Sequence, residues 1–277
     1  MTRSTLERKG TVFWIVFLLI ILAVLLPLYW LVNTALKTPL ENISPVPVFL
    51  PRRLYLRNFL EVIRGGFFRN LFNTIFVAGF STVISLLLAF LAGYALSRHR
   101  FPLRFNTVFL VWVLTVKILP PVVLAIPLYT LFAAAGLLNT LFGLVLVYQV
   151  YTLPYCIWML FGFFKGLPTE YEQAARIDGA SELGILWRIV LPLMRSGVIA
   201  TAIFSIIMAW DEFLFALLFL RTPSLLTLPL RIVNYITEYE TLWGQLMAIG
   251  LLATVPLLLF SSFVYRRMTT GFTMSLK

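Results

Sequence analysis

The sequence predicts an all-helical integral membrane protein of six spans. Three observations predict it. Of 277 residues, 61% are hydrophobic and only 12% are charged, where soluble domains carry about 25% charge. Mean hydropathy is +0.95. The apolar residues fall into runs long enough for a bilayer crossing, about 20 residues each, separated by short polar segments.

The first run, residues 11–32, is uncharged and follows a basic start (Arg3, Arg8, Lys9). A signal peptide also begins this way, but its apolar core is about 7–15 residues. No small-x-small cleavage site follows, so the run reads as a span. Pro39, Pro45, Pro47 and Pro51 keep the next segment from forming a long helix; residues 56–68 could form a short surface helix. The second span is 72–96, with Gly79, Ser81, Ser85, Ala89, Ala92 and Gly93 as small contact positions for neighbouring helices. A basic loop (Arg98, Arg100, Arg104) leads to the third span, 105–135. Its Pro120–Pro121 pair and Pro127 predict a break or kink, since proline removes backbone donors. Gly136, Asn139 and Thr140 mark the turn to the fourth span, 141–163. Polar residues 165–196, a fifth span at 197–220, a loop at 221–240, a sixth span at 241–265 and a tail at 266–277 complete the chain.

The segments on the side of the N-terminus carry the larger share of lysine and arginine: Arg3, Arg8 and Lys9, then the basic loop, then Lys165, Arg176, Arg188 and Arg195, and finally Arg266, Arg267 and Lys277. The positive-inside rule then predicts N-in and C-in. The net charge of +11 would suggest nucleic acid in a soluble protein, but here topology and anionic lipid account for it. One cysteine, Cys156, excludes an intrachain disulfide, and one histidine, His99, excludes a multi-histidine metal site. No H-E-x-x-H, G-x-S-x-G or phosphate-loop pattern occurs, and no second aspartate-bearing span completes a carboxylate dyad with Asp211–Glu212. The chain reads as non-enzymatic, with no cofactor of its own.

Lys117, Asp211 and Glu212 lie within spans, where each costs about 2.5–3.5 kcal/mol at the bilayer centre. Such residues line a solute path or gate, or form structural pairs; a Lys117 pair with Asp211 or Glu212 is one expectation. Adjacent residues point about 100° apart on a helix, so Asp211 and Glu212 cannot share one target, and one of them is expected to meet a partner subunit. Tyr148, Tyr151 and Tyr155 on the fourth span, near Gln149 and Pro154, stand apart from the other aromatics, and Tyr148 and Tyr151 join the pathway candidates. The remaining aromatics read as lipid-facing, core or interfacial residues.

The polar segment 165–196 separates two spans. Pro168 and Thr169 can start a helix with Glu170 and Glu172 in its first turn, where the helix dipole favours negative charge. Tyr171, Ala174, Ala175 and Asp178 share one shallow face. Gly179 can adopt the left-handed conformation that ends a helix, and Ser181 can cap the next. An amphipathic connector lying on lipid would be basic; this segment balances its charges. It therefore reads as a protein-docking hairpin.

The stretch YEQAARIDGASELGILWRIVLPL resembles the EAA loop of bacterial ABC importer membrane subunits, in particular the second permease subunit of the carbohydrate-uptake group of the maltose-transporter type. LPPVVLAIPLYTLF (119–132), GLLNT (136–140), GFFKGLP (162–168), AWDEFLFALLFL (209–220) and the tail RRMTTGFTMSLK extend the resemblance over nearly the whole chain. It implies a type I ABC importer permease fold in the cytoplasmic membrane, with loop 165–196 as a cytoplasmic coupling helix docked in an ATPase cleft. The docking residues implied are Glu172, Gln173, Ala174, Ala175, Asp178 and Gly179, with Ile189, Leu191 and Pro192 behind them. The family usually has Glu immediately before Ala-Ala; here Gln173 stands in that place, able to hydrogen-bond, with Glu172 as the substitute acid. The implied partners are a second permease subunit forming a heterodimer, two copies of an ATP-binding subunit carrying ATP and Mg, and an external solute-binding protein approached by loop 221–242. In the maltose-type system the other permease holds most of the sugar, and Lys117 occupies a position usually uncharged. The reading from another class is an autonomous channel or secondary carrier for a polar solute, which would place any coupling-ion site within one chain.

Overall fold

The computed structural model describes residues 3–99 and 101–273; Arg100 of the basic loop and tail residues 274–277 lie outside the described residues. Among the described residues the architecture is all-helical, with no strand and an isolated bridge between Ile236 and Thr241. Among the described residues three helices are long and apolar enough to cross a membrane: Val12–Ala35, Phe67–Arg98 and Trp243–Phe260, the last lying within a helix that runs to Thr273. Three further pairs qualify only if each bent pair is one span. These are Phe105–Ile118 with Pro121–Ala134, bent 97°; Leu141–Val147 with Gln149–Lys165, bent 42°; and Glu182–Leu193 with Arg195–Trp210, bent 75°.

Each break has a local chemical cause. Pro120 and Pro121 stop the helix at Ile118 and restart it at Pro121, because proline lacks the donor a continuing helix needs. Pro192 likewise carries no donor, and the ladder ahead of it widens into a π-helical turn over Leu186–Val190, closed by Leu191 N–H to the Leu186 carbonyl. Within the fifth span expected over 197–220, the helix ends at Trp210 and resumes at Leu214–Phe219. Glu212 causes the interruption. Its carboxylate accepts hydrogen bonds from Phe215 N (2.8 Å) and Ala216 N (3.2 Å), so it caps the second piece instead of continuing the first.

The chain divides into two compact units. One comprises Met1–Phe67 and Ile232–Pro256. Within it Asn58 is buried and donates to the carbonyls of Ala35 (2.8 Å) and Lys37 (2.9 Å), closing off the end of the first long helix. Gly244 packs so tightly on Asn58 that a Cβ would lie 2.4 Å from its amide nitrogen. Gln245 hydrogen-bonds Glu61. Thr38 and Glu41 form a capping box at the start of the short helix Pro39–Asn42.

The second unit comprises Phe68–Arg231 and Leu257–Lys277. Its helices meet along a polar seam, the arrangement favoured where lipid removes any hydrophobic gain between helices. Ser85 Oγ lies 2.6 Å from Gln149 Oε1 and 2.5 Å from Thr152 Oγ1, while Ser81 donates to the Val145 carbonyl at 3.2 Å. Thr82 and Ser205 hydroxyls are 3.1 Å apart. Asn139 adopts the left-handed region at φ 55°, tolerated by asparagine. Its side-chain oxygen receives the N–H groups of Arg221 and Thr222, both at 3.0 Å, which fixes the 136–140 turn against the end of helix Leu214–Phe219. Below the polar hairpin, Phe164, Ile185, Leu186 and Val190 form a buried cluster with Phe90 and Cys156.

Glycine packing gives a direct test. A Cβ at Gly143 would sit 2.1 Å from the Leu137 carbonyl oxygen, whereas one at Gly162 meets nothing within 4 Å. Gly143→Ala is expected to lower stability by about 1–3 kcal/mol. Gly162→Ala is expected to be neutral or slightly stabilising, read as the thermal midpoint of the detergent-solubilised protein.

Candidate functional site

The hairpin begins where helix Gln149–Lys165 ends. Helix Glu170–Ile177 follows, terminated at Gly179 with φ +81°. There the Ala180 N–H reaches back to the Ala175 carbonyl at 2.9 Å, and the Gly179 N–H reaches the Arg176 carbonyl at 3.1 Å. Ser181 Oγ accepts from Gly184 N at 3.2 Å and starts helix Glu182–Ile185. Glycine hinge and serine cap thus occupy the positions the sequence predicts.

The two faces of the first helix differ sharply. Tyr171, Gln173, Ala174, Ile177, Asp178 and Gly179 are exposed. Ile177 is 87% exposed and Leu183, across the hinge, 68%. A groove of about 600 Å³ beside the hinge is lined by Gly179, Ser181, Leu183, Gly184, Trp187 and Arg188. Of the two carboxylates in the first turn, Glu170 is exposed and Glu172 is only 1% exposed.

The expectation for Glu172 is therefore corrected. Its carboxylate is turned inward and consumed within the chain: Arg98 Nε donates to Oε1 at 2.7 Å and the Tyr94 hydroxyl donates to Oε2 at 3.0 Å. It offers no free acid to substitute at position 173. Ala175, expected on the partner-facing surface, is also buried, at 7% exposure, in the cluster beneath the hairpin. The physical reason is shared. Glu172 and Ala175 stand three residues apart on one helix face, and an anchored Glu172 carries that face inward. Removing one member of such a buried pair costs about 3–5 kcal/mol, because the other charge is left uncompensated.

Arg98 is the residue sequence reading assigned to topology alone. It ends helix Phe67–Arg98, four residues after Tyr94, so both side chains leave the same helix face. Its remaining nitrogens donate to the Phe164 carbonyl (Nη1, 3.2 Å) and the Leu167 carbonyl (Nη2, 3.0 Å). The Tyr-x-x-x-Arg spacing at a span end was the available signal. Arg176, four residues after Glu172 and 4.0 Å from its Oε2, bridges to Glu182 across the hinge at 2.7 and 3.1 Å. The guanidinium holds the Glu182 carboxyl below its ordinary range, and Glu182 in turn raises the pKa of Arg176. This depressed carboxylate contributes its stabilisation at neutral pH and loses it as pH falls through the lowered value.

The pathway candidates separate into two groups. Tyr148 (1% exposed) and Glu212 (8%) are interior. The Tyr148 hydroxyl donates to the Glu212 carbonyl at 3.4 Å, and that of Tyr151, half-buried, reaches Glu212 Oε1 at 3.5 Å. Lys117 and Asp211 are exposed. The expected ion pair is corrected: among the described residues Lys117 meets no carboxylate, and its Nζ instead lies 4.5 Å from the Tyr155 ring centroid and 5.8 Å from that of Trp158. Among the described residues no three His, Cys, Asp or Glu side chains gather as metal ligands.

Residues 85–272 match the model of the binding-protein-dependent transport system inner membrane component family, and the chain belongs to that family. It is 36% identical to the sulfoquinovosyl glycerol transport system permease protein SmoH of Agrobacterium fabrum, over 90% of this chain and 87% of that one. It is 30% identical to the trehalose transport system permease protein SugB of Mycobacterium tuberculosis, over 96% and 97%. A crystal structure of a bacterial ABC transporter that imports the acidic polysaccharide alginate shares the fold, with TM-score 0.79 and 22% identity over 96% of this chain and 98% of that chain. The chain is thus a multi-pass subunit of the cytoplasmic membrane with a type I permease fold, a transport component and not an enzyme. Its family works with an ATPase and a solute-binding protein.

Because Lys117 and Asp211 do not touch, uptake losses in Lys117→Ala and Asp211→Asn are expected to add in the double variant, within about 0.5 kcal/mol. Glu212→Ala, which strips a helix cap, is expected to lower stability by about 1 kcal/mol or more. Thermal midpoints and a double-mutant cycle on uptake check both.

Proposed function

We propose that this subunit imports a saccharide as half of a permease heterodimer, with two ATPase copies docked on the two permease hairpins. In this reading the chain crosses the membrane six times, N-in and C-in, with the bent pairs Phe105–Ile118 with Pro121–Ala134 and Leu141–Val147 with Gln149–Lys165 as the third and fourth crossings and Arg195–Trp210 in the fifth. Hairpin 165–196 is then cytoplasmic and loop 221–242 external, towards the solute-binding protein. Relatives named for sulfoquinovosyl glycerol, trehalose and diacetylchitobiose transport support a sugar substrate of the oligosaccharide, disaccharide or polyol class.

The observation that carries the docking role is the exposed stripe Tyr171, Ala174, Ile177 and Asp178 on a helix whose opposite face is anchored in the chain's own core. An isoleucine 87% exposed at the tip of a polar hairpin is an uncompensated apolar surface. Ala174 beside it is small enough for close backbone approach. Gln173 supplies neutral hydrogen bonds, so this interface relies on shape and apolar contact more than on charge. Asp211 and Lys117 are assigned to the solute path. Tyr148, Tyr151 and Glu212 brace the break beside it.

Ala174→Asp and Ile177→Asp place a charge on the exposed stripe without disturbing the buried face. Both variants are expected to insert normally and to lose co-purification with the ATPase, with uptake falling at least about tenfold, the effect of burying an unpaired charge in an interface. Normal uptake by either variant would overturn the docking role, and uptake by the chain without an ATPase would overturn the importer reading.

A further inference from the structure

We infer that Arg98 is the residue that carries movement of the docking helix into the membrane-spanning helices, with Glu172 as its handle on the docking side. This deepens the docking reading and rests on it.

The geometry points there in four steps. First, helix Glu170–Ile177 is only eight residues, about 12 Å long. It is tethered at one end by Lys165–Thr169 and at the other by Gly179, where the backbone is left-handed and a Cβ would meet nothing within 4 Å. A load on its exposed face would swing it about this open hinge unless its inner face is held. Second, the polar hold on that inner face is Glu172, with one carboxylate oxygen on Arg98 and the other on Tyr94. Both of those residues belong to the last turns of helix Phe67–Arg98.

Third, the guanidinium also grips the Phe164 and Leu167 carbonyls at the end of helix Gln149–Lys165. One planar cation therefore joins three segments: the end of one long span, the end of another helix and the docking helix. Lysine, a single point charge, cannot reproduce a fork aimed at three acceptors. Fourth, the joint is solvent-shielded, with side chains 10% and 2% exposed. Charge-assisted bonds are strongest and least compliant there. Phe90 and Phe164 pack alongside, ring centroids 5.2 Å apart, and limit sideways slip.

Arg98 and Glu172 are thus positioning residues. What they hold is the orientation of the docking face relative to two helix ends. A purely structural role and a transmitting role separate experimentally. If the pair only keeps the hairpin folded, Arg98→Lys lowers assembly with the ATPase and uptake together. If it transmits movement, Arg98→Lys complexes still assemble and hydrolyse ATP, while uptake per assembled complex falls.

The test uses the full transporter reconstituted in liposomes with its solute-binding protein, scoring ATPase co-purification, ATP hydrolysis and uptake for Arg98→Lys, Glu172→Gln, their combination and Tyr94→Phe. The expected result for Arg98→Lys is wild-type co-purification and about tenfold slower uptake per complex, as for loss of one buried charge-assisted bond, so that ATP consumed per solute rises in proportion. The combined variant should be no worse than the poorer single one, and Tyr94→Phe should show a smaller loss of the same kind. Uptake per complex at the wild-type level in Arg98→Lys, or losses that follow co-purification one for one, would overturn the inference. If Arg98→Lys fails to assemble, normal coupling in both Glu172→Gln and Tyr94→Phe would overturn it equally. Failure of the docking reading looks different: the wild-type chain would not co-purify with the ATPase, or Ala174→Asp would remain coupled.

Discussion

The burial of Glu172 decides how the polar hairpin is presented. A carboxylate at 1% exposure is tolerable only when both oxygens are engaged, since an unpaired buried charge is among the most destabilising features a protein can carry. Arg98 and Tyr94 meet that demand. Once they do, the rotation of helix Glu170–Ile177 about its own axis is set. Ala175 follows Glu172 inward onto Phe164 and Ile185, and Tyr171, Ala174, Ile177 and Asp178 are left facing out. The exposed stripe is thus a consequence of the buried pair.

The charges within the apolar helices obey the same rule by other means. Glu212 is satisfied by backbone N–H groups, which requires a helix terminus, so the helix is interrupted there. Lys117 lies at the end of the helix broken by Pro120–Pro121 and rests on the Tyr155 and Trp158 rings. Asp211 remains exposed beside the Glu212 break. Breaks and charges therefore occur together: a broken helix releases backbone groups, and a nearby charge or aromatic ring takes up the vacant interaction.

Much of this was legible residue by residue. Long uncharged runs marked the apolar helices, the Pro120–Pro121 pair marked the sharpest bend, and Gly179 with Ser181 marked the hinge, because each of those effects acts within a turn or two of chain. The charged residues inside the spans were legible as exceptional but not in their partners. Charge alone matches Lys117 to Asp211 or Glu212, whereas the fold brings it to aromatic rings. Sequence alone places Glu172 on the docking surface, because a polar helix shows its polar residues outward by default. Its true partner, Arg98, lies on a different helix and looked like one more topological cation.

By itself the sequence determined the helical membrane class, the positions of the hinge and the proline breaks, and the family, since these depend on composition, on local backbone chemistry and on contiguous motifs. Only the tertiary structure decided which face of the docking helix is buried, that the helix after Trp210 stops for Glu212, and that a single guanidinium joins three segments. Those outcomes depend on where distant side chains meet, and the physical reason is desolvation: the value of a charge is set by the partners that burial brings to it, which no local pattern encodes.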